Sequence, residues 1–138
     1  MVSAQDLGQA TETAKMANES LVAGNNELAL SGFQEALTLA QACGEEGAEL
    51  VSTCKGVIPK IILSIAKENI KAASYDKAVE KLQEAVKVAK EYGVNEVAED
   101  ADALIGQTYM AKGTALLKAK DFAGAAEAYK KVADADPT

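Results

Sequence analysis

Asn25, Ser74 and Asp121 stand 49 and 47 residues apart, and each opens the same run of residue types. Four positions on comes an alanine (Ala29, Ala78, Ala125), and four further a large apolar residue (Phe33, Leu82, Tyr129). Three more bring another apolar residue: Ala36, Ala85 or Val132. Eight positions before each opening residue sits a small one: Ala17, Ala66 or Gly113. Asn, Ser and Asp share a short side-chain oxygen that can accept an orphan N–H of a helix's first turn. A cap recurring at three equivalent positions, with helical spacing on both sides, makes the chain a three-unit helical repeat. Such repeats form their core by stacking one unit on the next.

The last unit states the pattern most fully. From Tyr109 to Pro137 it reads YMAKGTALLKAKDFAGAAEAYKKVADADP. One helical stripe carries Tyr109, Gly113 and Leu116; a second carries Ala125, Tyr129 and Val132, and a proline closes the run. Gly113 and Ala125 would let the two backbones approach closely, with Tyr109 and Tyr129 filling the space beside them. These residues resemble the tetratricopeptide repeat (TPR), a helix–turn–helix unit with small and aromatic residues at fixed places and a closing proline. The resemblance implies an all-α fold, a right-handed α-solenoid of three antiparallel helix pairs in one domain. The units are about 4–43, 47–92 and 96–135, with Ala17, Ala66 and Gly113 at the tightest contacts. The observed spacings exceed the ~34 residues of an ordinary unit, so this is a long-helix variant.

Helix ends follow from the punctuation. Gly24 supplies a left-handed C-cap, Gly44 and Gly93 end the second and fourth helices, and Asn95 is expected to cap the fifth. The second helix buries Leu30, Phe33, Ala36, Leu37 and Ala40. Pro59 lies inside the third, where its ring meets the carbonyl four residues back; a kink or a short break is expected there.

Composition supports an all-helical class and excludes several functions. Almost half of the residues are apolar but only 4% are aromatic, so Ala, Leu, Val and Ile are the packing material. No apolar run approaches the ~18 residues that suggest a membrane span. The formal charge is −7 and arginine is absent, which argues against nucleic acid. With no histidine and only two cysteines, Cys43 and Cys54, no metal site or cofactor is implied. The two thiols fall out of step between successive helices and are expected to stay unbridged in the core. Glu45, Glu46, Glu96, Glu99, Asp100 and Asp102 lie at helix beginnings, where negative charge complements the macrodipole. Neither a phosphate-binding glycine loop nor a GxSxG elbow occurs. The reading is of a protein that is not an enzyme and has no catalytic residue.

The surface is left as the place for function. Proteins of the resembled family hold a partner segment in a concave groove lined by the first helix of each unit. The groove residues inferred here are Lys15, Asn18, Lys60, Leu63, Lys67, Lys71, Met110 and Lys118. Of the positions that grip a chain-terminal carboxylate in the clamp subclass, only Asn18 matches; Ala14, Ser64, Gln107 and Ala111 occupy the others. The family's chaperone-tail clamp is therefore not supported. Five groove lysines in an acidic protein favour an acidic peptide, the alternative being that they solubilise the helices.

The resulting expectation is a protein–protein interaction scaffold that binds a peptide segment. The alternative is a structural, self-assembling repeat module, with a homo-oligomer or a further helix of a longer chain covering the C-terminal end. Val2-Ser3-Ala4 has the small-residue form of a leader's cleavage end. Two compartments therefore stay open: the cytoplasm or, if residues 1–4 are such a remnant, the periplasm or exterior.

Overall fold

The computed structural model describes residues 4–135. Residues 2 and 3 of the leader-like motif, and the closing Pro137, lie outside the described residues. Six α-helices follow one another: α1 (Ala4–Val22), α2 (Asn26–Ala42), α3 (Ala48–Lys71), α4 (Tyr75–Tyr92), α5 (Asn95–Lys118) and α6 (Phe122–Ala135). A 3₁₀ turn, Gly44–Gly47, joins α2 to α3, and no strand occurs among the described residues. The fold is all-α, with sequence-adjacent helices packed in the manner of a helical repeat.

The turns between helices repeat as closely as the sequence does. After α1, Gly24 takes φ 83°, its N–H reaches Leu21 O, and Asn25 N–H reaches Ser20 O. After α3, Ala73 takes φ 60°, its N–H reaches Ile70 O, and Ser74 N–H reaches Asn69 O. After α5, Lys120 takes φ 65°, its N–H reaches Leu117 O, and Asp121 N–H reaches Leu116 O. This is one Schellman closure used three times. Only at Gly24 does the left-handed residue lack a Cβ, so Ala73 and Lys120 hold a conformation costly for L-residues.

The residue after each closure stands at the N-cap, but the three differ in what the side chain does. Asp121 Oδ1 accepts from Gly124 N–H at 3.0 Å, and Asn25 Oδ1 accepts from Leu28 N–H at 3.4 Å. Ser74 has the same backbone form as Asn25 but makes no side-chain cap bond. At α5 the expected cap is corrected: Val94 occupies the N-cap and Asn95 is already helical. The Gly93 closure, with Val94 N–H on Ala89 O, hands the chain to the next helix one residue earlier. Alanine at Asp121 is expected to cost ~1 kcal/mol, at Asn25 less and at Ser74 least. Lys120→Gly should instead stabilise by ~0.5 kcal/mol, relief of the left-handed strain outweighing the entropy glycine adds to the unfolded chain. Urea midpoints of the four variants check this order.

Two compact units divide the chain, the first running through Ile61 and the second beginning at Ile62. In the first, α1 and α2 pack on each other. The whole predicted stripe of α2 is buried, Leu30, Phe33, Ala36, Leu37 and Ala40, along with Ala29. Ala10 and Ala17 answer from α1. Gly32 faces Ala17 closely: a Cβ on Gly32 would lie 2.7 Å from the Ala17 Cβ.

In the second unit α5 packs on both α4 and α6. The α4 stripe of Ala78, Val79, Leu82, Ala85 and Ala89 is buried, as are Val97, Ala98 and Ala101 of α5. Thr108, the buried polar residue, satisfies itself by donating to Leu104 O at 2.7 Å. Gly113 lies under the Tyr129 ring, whose hydroxyl is 3.0 Å from Thr114 Oγ1. Because Thr114 spends its own proton on Met110 O, Tyr129 is the donor of that pair.

No break accompanies Pro59, since α3 is helical throughout. A helix interior normally loses one hydrogen bond and meets a clash at proline. Here Pro59 itself is buried, beside Ile58, Ile61 and Ile62, and the apolar area removed from water offsets that loss.

Candidate functional site

Among the described residues no three His, Cys, Asp or Glu side chains are grouped so as to hold a metal ion. Both cysteines are free and buried. Cys43 Sγ donates to Leu39 O at 3.3 Å. Burial pushes the Cys54 thiol above its ordinary value, because the interior solvates a thiolate poorly. A thiol held neutral and covered attacks slowly. Cys54 should therefore escape iodoacetamide at neutral pH in the folded protein and react on denaturation, as read by mass spectrometry.

The residues expected to line a groove separate into exposed and covered ones. In the first unit Lys15 and Asn18 of α1 and Lys60 of α3 are exposed. In the second, Lys67, Lys71 and Lys118 are exposed, and Met110 is 49% exposed. Leu63 is the correction: at 7% exposure it belongs to the core and offers no anchor to a ligand. Its spacing along α3 matched a surface stripe, but the stripe that includes Ile58, Ile61, Ile62 and Ile65 is buried on a broad front, which takes Leu63 with it. Lys67 and Lys71 are one helical turn apart and so share a face.

Concavities occur within each unit. In the second, a pocket of about 660 Å³ is lined from α5 by Glu99, Asp102, Ala103, Gly106, Gln107 and Met110, and from α6 by Val132 and Ala135. Met110 was expected at a groove; the two carboxylates were not. They follow from the same periodicity, since positions 99, 102, 103, 106, 107 and 110 trace a single helical face. Val132, expected as a packing residue, lines this pocket and is only half-buried. The charge at the pocket is acidic, opposite to that of the lysines on α3.

A second concavity of that unit, about 510 Å³, lies between the start of α4 and the end of α5. Asp76 and Lys112 both line it and are joined by a 2.6 Å ion pair. That pair spends the charges on each other. On α6, Lys131 lies over the Tyr109 ring, 5.5 Å from its centre, so it too has an aromatic partner.

In the first unit a groove of about 690 Å³ runs between α1 and α2. Ala17 and Gly32, which face each other closely, line it together with Met16 and Leu28. Its charged residues are Glu19 and Glu35.

No helix among the described residues is long and apolar enough to cross a membrane. Comparison with protein-family models, with curated proteins and with solved structures gives no match to this chain.

Proposed function

We propose that this protein is a non-catalytic, TPR-like interaction scaffold that holds a short peptide segment of a partner protein. The observation that carries the reading is Met110, half open to solvent at a pocket of about 660 Å³ within the α5–α6 pair. A methionine adapts its unbranched side chain to varied apolar partners, and Ala103, Gly106 and Ala135 leave room beside it. The recurrent turn at Gly24, Ala73 and Lys120 and the close seat of Tyr129 on Gly113 support the family reading.

Charge decides the ligand. Glu99 and Asp102 at the pocket favour a segment carrying an apolar residue next to a lysine or arginine. The preference for an acidic segment rests on a different surface, the exposed Lys67 and Lys71 of α3. Two synthetic peptides separate these surfaces, each with a central leucine, one flanked by lysines and the other by glutamates. Amide shifts followed by NMR are expected to move at Gln107 and Met110 with the lysine peptide, and this response should vanish in Glu99→Gln/Asp102→Asn. Shifts at Lys67 and Lys71 with the glutamate peptide, lost in Lys67→Glu/Lys71→Glu, would transfer the site to α3. Absence of any shift with either peptide at millimolar concentration would refute the peptide-binding reading.

A further inference from the structure

Six large apolar side chains are exposed among the described residues, and they fall into two groups. Met16, Val22 and Leu28 belong to the α1–α2 pair; Met110, Leu117 and Phe122 belong to α5, α6 and their junction. None lies on α3 or α4. Repeat equivalence sharpens the contrast: one unit further along the chain, the position of Met16 is Ile65, which is 2% exposed. Scattered exposed apolar residues are ordinary. Apolar residues beside charges of opposite sign, Glu19 and Glu35 in the first group and Lys118 and Lys120 between Leu117 and Phe122 in the second, are not.

In the first cluster Met16 and Leu28, 59% and 58% exposed, line the α1–α2 groove, and the charges along it are Glu19 and Glu35. In the second, Leu117 and Phe122 flank the turn that carries Lys118 and Lys120. Phe122 is 64% exposed at the first position of α6. The turn's carboxylate, Asp121, is already engaged by the Gly124 N–H. The left-handed backbone of Lys120 and the Asp121 cap together fix the direction in which the turn presents its side chains.

We propose that a second copy of this chain docks here head to tail, the Leu117–Phe122 turn of one copy entering the α1–α2 groove of the next. Phe122 supplies the apolar anchor against Met16 and Leu28, and Lys118 and Lys120 meet Glu19 and Glu35. Ala17 and Gly32 in the groove's lining bring no bulky side chain against an entering ring. Because the two patches differ, the contact is heterologous: each copy offers one of each, and association extends to a ring or a filament. This association uses neither the Met110 pocket nor the α3 lysines, so it stands apart from peptide binding.

Sedimentation velocity over a concentration series tests it with three samples: the wild-type chain, Met16→Glu and Phe122→Glu. The wild type is expected to show concentration-dependent species larger than a monomer, weakened as salt screens the charges. Each single variant should lose affinity by roughly thirtyfold or more, the size of a hot-spot loss. An equimolar mixture of the two variants retains one intact interface and should form a two-chain complex that grows no further. Both substitutions fall on exposed side chains, and unchanged circular dichroism verifies the fold. If either variant misfolds, the charge reversal Glu19→Lys/Glu35→Lys replaces Met16→Glu, and Lys118→Glu replaces Phe122→Glu. A wild type that stays monomeric throughout overturns the proposal. So does a single variant that associates as the wild type does, because a symmetric contact needs only one patch, and so does a mixture that forms no complex.

Discussion

Gly47→Ala is expected to lower the melting temperature by roughly 10 °C, corresponding to about 3 kcal/mol at the upper end of overpacking costs. Gly47 is buried at the end of the 3₁₀ turn, and a Cβ built there collides with the Ala40 carbonyl oxygen. It would also lie 3.0 Å from the Cys43 Cβ. The obstacle is backbone, so no rotamer change relieves it; either the turn or the end of α2 must move. Gly44 in the same turn has open space around its Cα but φ 61°. Gly44→Ala should therefore cost only ~1 kcal/mol, from the left-handed backbone alone. Thermal melts of the two variants check the contrast, and equal losses would mean that the Ala40 contact has no special weight.

Gly113→Leu is expected to cost ~1–3 kcal/mol through a clash of a different kind. A Cβ at Gly113 would sit 2.7–2.9 Å from three carbons of the Tyr129 ring. Tyr129 is a half-buried side chain tied by its hydroxyl to Thr114, so it can swing away at the loss of that bond. Gly113→Ala also gains ~1 kcal/mol in helix propensity and should come out near neutral. Leucine brings no comparable further gain, and its extra atoms need the space of the ring. A double-mutant cycle with Tyr129→Ala isolates the contact. Recovery of stability in Gly113→Leu/Tyr129→Ala relative to Tyr129→Ala is the expected sign. Purely additive losses would show that the two residues are not each other's constraint.

Much of the repeat was readable without coordinates, and the reasons are local. Asn25, Ser74 and Asp121 stand at N-caps because the cap and the closure before it act within about five residues of chain. The α2 stripe from Leu30 to Ala40 was legible because side chains three and four apart share a face. Helix ends at Val22, Ala42 and Tyr92 came within a residue or two because glycines at 24, 44 and 93 take positive φ. The cap of α5 was missed because the preceding closure places Val94, not a polar residue, at that position. Of the residues lining the α5–α6 pocket, Met110 was expected at a groove, and Glu99 and Asp102 were not. Acidic residues near a helix start have a sufficient local explanation in the macrodipole, which hid their place on the pocket.

What the sequence by itself determined is the set of helices and the turns that close them, since each depends on interactions among near neighbours. Only the tertiary structure decided which apolar residues are core and which are surface. Leu63 and Met110 are repeat-equivalent and similar in hydrophobicity, yet one is 7% and the other 49% exposed. Helical periodicity assigns a residue to a face, but whether another helix covers that face is settled by packing at long range. For the same reason Gly47 and Gly32 look like ordinary glycines in the sequence. Their constraint comes from Ala40 and Ala17, residues on other elements that only the folded chain brings within reach.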